Sequence, residues 1–350
     1  MTNIQVPHIS IIADNIEIVK GNINAITVQK TTKTREKEEK ILQKWAEKKL
    51  LSHEIAKKMY KIGQFERGDR MQLCSDMIEY TYCPDCGRWH VKRANLCRDR
   101  FCPICSWRLS LQRFGEMLTL INKINETDGH NIKSWSLVTL TCKNCRLENL
   151  RDTMMLMSKA WNLTVTQRKL RPYFYGWARN AEITLNESTR EVHPHYHVLV
   201  AWFEDRSQTL IDKWIHACIK YGLEVSYKAQ NASPINHWRG NEIPVEHEGT
   251  ELPKEFTKAI LETFKYSVKG SDLDKMTLGE FKNVVEQYAR TRLISYGGRI
   301  KELVADLRLN MDEIKDEDIK VPICRDCGSI DLERLVYKWS FGSKAYSSLM

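Results

Sequence analysis

The chain has 350 residues, 54 Lys+Arg against 45 Asp+Glu for a formal net charge of +9, and 42% hydrophobic residues. That length accommodates two or three domains with a sizeable core, and the positive balance points to a polyanionic partner while falling far short of a ribosomal protein's basicity. No apolar run approaches the ~18 residues needed to span a bilayer, and the opening segment carries Asp14 and Glu17 without a signal-peptide pattern, so a soluble cytoplasmic protein with no membrane partner is expected.

In chain order, residues 1–35 show no sustained period and read as a flexible tail. Within residues 36–73, Leu42, Trp45, Leu50, Ile55 and Met59 recur among Lys and Glu at helical spacing. This predicts a basic amphipathic helix, serving either as a solvated packing helix or as a DNA contact.

Residues 74–115 form a cysteine-rich segment. Cys83-Pro84-Asp85-Cys86, fifteen intervening residues and Cys102-Pro103-Ile104-Cys105 match a two-knuckle Zn²⁺ site. Four thiolate ligands leave no open position, so the expected role is structural, with Cys97 or His90 able to replace one ligand. Arg98, Arg100 and Arg108 nearby are candidate phosphate contacts. Eleven Cys, arranged with four Cys-x-x-Cys pairs, suit reduced thiols offered to metals in the cytosol. Of the two isolated pairs, Cys324/Cys327 looks like a single knuckle that Cys142/Cys145 could complete, unless the latter are strand-end residues.

Residues 125–275 mix strands and helices. Trp135–Thr141 alternates as a strand, 147–163 reads as a helix and Trp177–Leu185 as a second strand, followed by turn chemistry at 186–190. A helix over 209–221, a long loop over 227–252 and a helix over 253–268 complete the region. Residues 276–350 are expected to be charged and largely helical, with a turn at Tyr296-Gly297-Gly298, a possible second knuckle and a β-prone aromatic tail.

Two constellations carry chemistry. His193, His195 and His197 alternate in the apolar run Val192-His193-Pro194-His195-Tyr196-His197-Val198, so a strand would project all three from one face. With ten His in 350 residues, chance supplies about 0.3 His-x-His pairs, which makes the triple uncommon. Neighbouring imidazoles on one rigid face can hold a divalent ion with positions left open for substrate; a solvated histidine stripe is the bland alternative. In the helix over 253–268, Glu262 and Tyr266 stand four apart, so a carboxylate and a phenol would share a face, with Lys265 and Lys269 beside them to favour phenolate. By spacing alone, such a pair is usually a surface contact.

Val138-Thr139-Leu140-Thr141 with Cys142-Lys143-Asn144, then His193 to Leu199, then Glu262 to Lys269 resemble, in order, the three motifs of plasmid rolling-circle replication initiators of the His-hydrophobic-His (HUH) endonuclease superfamily. Cys102 to Arg108 is similar to the cysteine element that precedes the first motif, and the resemblance spans about residues 97–300. It implies an α+β fold with a central antiparallel sheet flanked by helices and the histidine strand in its middle, to which the spacing and periodicity above add an N-terminal zinc-knuckle module and a helical C-terminal region. It implies Mg²⁺ or Mn²⁺ on His195 and His197, with Glu182 as the candidate third ligand across a hairpin and His193 a lesser candidate. Tyr266 matches the nicking tyrosine and Glu262 the carboxylate that activates water at termination. Lys143 falls in the first motif as a DNA-contact candidate.

The implied partners are plasmid origin DNA, single-stranded or extruded as a hairpin, and a host helicase and DNA polymerase. A single-strand transposase or relaxase would share the chemistry. A non-catalytic zinc-dependent DNA-binding regulator would not.

Overall fold

The computed structural model describes residues 26–235, 254–265, 268–289, 291–316, 324 and 326–349. In chain order the elements are α1 (Ile26–Lys61), α2 (Phe65–Gln72), β1 (Met77–Cys83), β2 (Arg88–Ala94), α3 (Pro103–Thr127), β3 (Ser134–Thr141), α4 (Leu150–Val165), β4 (Phe174–Leu185), β5 (Val192–Trp202), α5 (Ser207–Lys220), β6 (Asn231–Pro234), α6 (Lys254–Phe264), α7 (Gly270–Lys275), α8 (Leu278–Gln287), β7 (Ile294–Gly298), α9 (Arg299–Asp316), β8 (Glu333–Ser340) and β9 (Ala345–Ser348). The chain divides into two compact units: residues 1–115 with 316–350, and residues 116–315.

The second unit is built on an antiparallel five-stranded sheet of order β6-β3-β5-β4-β7, which puts the histidine strand β5 in the centre. This is the expected α+β arrangement of an antiparallel sheet with helices on it. Alternation along the strands gives each face a different job. Val138, Leu140, Tyr196, Val198, Val200, Trp202, Ala181 and Ile183 are buried on one face. There Trp161 of α4 packs edge-on to Trp177 at 4.9 Å, and Trp214 of α5 lies 5.7 Å from Tyr196. Arg179 is buried on the same face, its guanidinium 4.2 Å from the Tyr196 ring and its Nε donating to Ser295 Oγ. The opposite face carries the histidines and is covered by α6, whose Phe256 meets Trp135 at 5.2 Å and whose Phe264 meets Tyr296 at 6.4 Å.

The β4–β5 hairpin closes through Asn186, whose Oδ1 accepts from the backbone N–H groups of Ser188 and Thr189, while Arg190 adopts φ 58°. At the far end of β4 the chain needs glycine: a Cβ on Gly297 would lie 2.2 Å from the Trp177 ring. Gly298, at φ +60°, leaves 2.5 Å between such an atom and the Tyr175 carbonyl.

The first unit holds a smaller antiparallel sheet of order β2-β1-β8-β9. Trp45, Ile55, Ala56 and Met59 form the fully buried stripe of α1, as an amphipathic helix requires. Lys49 is also fully buried, its ammonium donating to the Gln72 and Cys74 carbonyls and to Asp76.

Several boundaries differ from the sequence reading. Residues 26–35, expected in the tail, belong to α1, and residues 1–25 lie outside the described residues. The expected loop contains the short strand β6 at its start, and residues 236–253 lie outside the described residues. The expected helix over 253–268 ends at Phe264. The C-terminal region is not helical throughout, because β7, β8 and β9 form there, and it is shared between both units. The expected β-prone aromatic tail forms β8 and β9, with Leu335, Val336 and Tyr337 paired to β1 and Trp339 to Tyr346.

Candidate active site and cysteine clusters

The register of the central strands sets the site. Across β4 and β5, Asn180 faces His197, Glu182 faces His195 and Thr184 faces His193; across β3 and β5, Thr139 faces His197 and Thr141 faces His195. These side chains therefore converge on one patch of the α6 face.

Glu182, His195 and His197 are all buried, and each offers a ligand atom within 4.8 Å of the others. Glu182 Oε2 lies 3.2 Å from His195 Nε2 and 3.2 Å from His197 Nε2. Backbone and side-chain oxygens hold the far side of each ring. His195 Nδ1 is 3.2 Å from the His193 carbonyl, and His197 Nδ1 is 3.3 Å from Thr139 Oγ1. A carbonyl can only accept, so Nδ1 of His195 carries the proton and, in the neutral ring, Nε2 presents a lone pair toward Glu182. Two imidazole nitrogens and a carboxylate oxygen within 4.8 Å of one another make a donor set that a metal ion could share. Among the described residues, Glu182 Oε1 and His197 Nε2 have no hydrogen-bond partner. An N₂O donor set with unspent capacity fits a divalent ion that keeps positions open.

Lys265 and Glu262 extend the cluster. Lys265 Nζ stands 3.0 Å from Glu182 Oε2 and also pairs with Glu262 Oε1, which is 3.4 Å from His197 Nε2. Burial pushes the Glu182 carboxyl upward, but the flanking His195 and His197 and the Lys265 charge outweigh it and hold the group far below the usual carboxylate range. Burial likewise opposes the Lys265 charge, and Glu262 and Glu182 outweigh it, raising that ammonium.

His193 spends both ring nitrogens elsewhere, Nε2 at 3.0 Å from Thr141 Oγ1 and Nδ1 at 2.8 Å from Asn144 Oδ1. It stands beside the cluster, and its carbonyl orients His195. Gln230 pins the end of β3, its Oε1 accepting from the Thr141 N–H and its Nε2 donating to the Thr141 carbonyl. Asn180 and Gln230 were not singled out from the sequence, and Thr139 and Asn144 entered only as members of the first motif, without a role of their own. Strand alternation around the histidines could have found Thr139, whereas Gln230 lies about ninety residues along the chain from its partner, at a separation of 89.

Tyr266 lies outside the described residues. Its flanks are tied to β4: the Lys265 carbonyl accepts from Asn180 Nδ2 at 3.1 Å, and Val268 bridges Ile183 in parallel. Lys269 is exposed as the N-cap residue of α7 and, among the described residues, joins none of the ion pairs at Glu182.

The cysteines regroup. Cys83 and Cys86 do not meet Cys102 and Cys105, as the spacing suggested; they meet Cys324 and Cys327, while Cys102 and Cys105 meet Cys74 and Cys97. Sequence spacing missed this because strand pairing of β1 with β8 brings residue 324 beside residue 86, a proximity with no local signature. Cys97, an alternate ligand on the sequence reading, is a full member of its cluster, and Cys74 was not anticipated. Cys142 and Cys145 belong to neither group; Cys145 instead bridges Val192 at the start of β5.

Of the basic candidates, Arg98 and Arg100 are exposed. Arg108 lays its guanidinium over Trp45 at 5.4 Å and Trp107 at 5.5 Å, and Lys143 pairs with Glu224 at 2.7 Å. Among the described residues, no helix is long and apolar enough to cross a membrane.

Comparison with known proteins places these features in a family. The replication protein family matches residues 88–347. A protein named Protein rep from Lactiplantibacillus plantarum is 27% identical over 319 residues, covering 86% of this chain and 94% of the relative. Proteins of the same name from Bacillus amyloliquefaciens and Streptococcus pneumoniae are each 26% identical, covering 73% and 78% of this chain and 79% and 82% of those relatives. No solved structure matches. A match over most of the chain, one that includes the histidine strand, shows that the chain belongs to the Rep family of plasmid replication initiators.

Proposed function

We propose that this initiator nicks one strand of its plasmid origin and rejoins it through a tyrosine-linked intermediate, with the patch of Glu182, His195 and His197 as the divalent-ion site. The observation that carries the reading is the convergence of Glu182 Oε2 on both Nε2 atoms at 3.2 Å in the central strands of the sheet. Mg²⁺ or Mn²⁺ held by these three residues would polarise a non-bridging oxygen of the scissile phosphate.

The remaining work falls to side chains. Tyr266 is the nucleophile: its Oη bonds to phosphorus, the phenolic proton leaves to solvent, and the P–O bond to the 3′-oxygen breaks, leaving a 5′-phosphotyrosine and a free 3′-OH. The contacts of Lys265 with Asn180 and of Val268 with Ile183, both on the strand that carries Glu182, support this role. Lys265 places a positive charge where the phosphate gathers negative charge, and Lys269 adds a second, more distant one. Glu262, 3.4 Å from His197, takes a proton from the water that later attacks the phosphotyrosine and frees the phenol.

The free 3′-OH primes a host polymerase behind a host helicase, and Arg98 and Arg100 contact DNA phosphates. A transposase or relaxase would cut in the same way, and membership of the replication family favours the initiator. The test is adduct formation with Mn²⁺ and a single-stranded origin oligonucleotide. Tyr266→Phe is expected to abolish the covalent adduct, and an adduct that survives would reject this nucleophile. Glu262→Ala is expected to preserve nicking while slowing hydrolytic release; unchanged release by a folded variant rejects its role.

A further inference from the structure

Eight of the eleven cysteines sit in two four-sulfur groups, leaving Cys142, Cys145 and Cys218 outside. In the group formed by Cys83, Cys86, Cys324 and Cys327, the Cys83–Cys327 and Cys86–Cys324 sulfurs are each 3.6 Å apart. That spacing is far beyond a disulfide bond of about 2.05 Å. It is close to the edge of a tetrahedron with Zn–S bonds of about 2.3 Å, which is about 3.8 Å.

The two halves of this group share one backbone design. Each is a Cys-x-x-Cys-Gly turn in which the glycine has positive φ, +66° at Gly87 and +76° at Gly328. In each, the glycine N–H donates to the carbonyl of the first cysteine, at 2.8 Å from Gly87 to Cys83 and 2.8 Å from Gly328 to Cys324. Such turns aim both sulfurs at one point, and two of them facing each other complete a four-ligand set. The β1–β8 pairing brings the halves together, with Tyr82 opposite Glu333, and His90 pairs at 3.0 Å with Asp326 of the second turn.

The other group has its own supports. Ser52 Oγ lies 3.4 Å from Cys102 Sγ, the Arg98 N–H donates to Cys105 Sγ at 3.2 Å, and buried Lys49 donates to the Cys74 carbonyl. The two groups share no residue.

We infer that the first unit carries two separate tetrathiolate Zn²⁺ centres, and that the one on Cys83, Cys86, Cys324 and Cys327 fastens the C-terminal strands β8 and β9 to the β1–β2 hairpin. A soft, closed thiolate set selects Zn²⁺ and leaves no open position, so the centre is structural. Since ligands from opposite ends of the chain meet only in the folded unit, metal binding adds directly to its folding free energy.

The test uses the full-length protein. Native mass spectrometry and thiolate-to-metal charge-transfer absorption after Co²⁺ exchange should report about two thiolate-held ions per chain. Cys324→Ser with Cys327→Ser should leave about one, and Cys97→Ser with Cys102→Ser should also leave about one. One ion in the wild type, or two retained after the Cys324/Cys327 change, overturns the inference. Because a variant can misfold, alkylation of the wild-type protein supplies a second reading. Cys83, Cys86, Cys324 and Cys327 should be protected until a chelator is added, and identical labelling before and after chelation overturns the proposal equally.

Discussion

The two units of this chain reach stability by different routes. The second unit has strands of 12 and 11 residues at its centre, nearly every residue of β5 buried, with tryptophans packed on the helical face of the sheet. In the first unit the sheet strands are half-exposed, with β2 lacking any fully buried residue, and eight cysteines gather beside them. Apolar burial contributes about 25 cal/mol per Å², so a thin sheet gains little from it, and metal–thiolate bonds can supply the difference. The second unit's histidine patch sits on a sheet already held by its core, so an ion bound there, as proposed, would be free to serve chemistry.

This contrast has a direct consequence for metal removal, and here the largest effect is expected. Zn²⁺ in small thiolate modules contributes an apparent ~10–16 kcal/mol to folding. A strong chelator should therefore unfold the first unit, while the near-ultraviolet circular dichroism of the Trp161–Trp177 pair in the second persists. Loss of both signals together in a thermal melt would break the comparison.

Glu182→Gln comes next. It keeps the shape but removes the charge facing His195 and His197, and should weaken Mn²⁺ binding by about a hundredfold, roughly 2.7 kcal/mol, as measured by titration calorimetry. The second unit should still melt within a few degrees of wild type. A collapse of its Tm would show that the site is structural after all.

Gly297→Ala probes packing alone. Its new methyl would meet the Trp177 ring, and overpacking of this kind typically costs about 1–3 kcal/mol. The loss should appear in urea melts of the second unit, with unchanged zinc content in the first; an unaltered midpoint would mean that the sheet edge yields readily.

The smallest effect belongs to the capping box of α8, where Thr277 and Glu280 cap each other's backbone N–H groups. Thr277→Ala should cost about 1 kcal/mol by denaturant titration. Arg190 holds the Glu280 carboxyl down to about 2. A lowered folded pKa means that this contribution is complete above the unfolded value of about 4.3 and is lost as pH falls toward 2. Glu280→Gln should flatten that part of the acid profile, and an identical profile would exclude the pair.

The local signals were read well where each strand or helix carries its own period. Alternation placed His193, His195 and His197 on one face, and the turn residues 186–190 fixed the hairpin so that Glu182 stands opposite His195. Helix ends were read less well: α6 stops at Phe264, and just beyond it the Lys265 carbonyl accepts from Asn180 and Val268 bridges Ile183, contacts made in three dimensions.

The grouping of cysteines was the largest departure. Spacing along the chain determined that knuckle turns would form at Cys83–Cys86 and Cys324–Cys327, because Cys-x-x-Cys-Gly is a local backbone preference. Which turns share a centre was decided by the pairing of β1 with β8. That pairing joins residues more than two hundred positions apart, and its free energy comes from burial and hydrogen bonding across the sheet, terms that no local stretch of sequence displays.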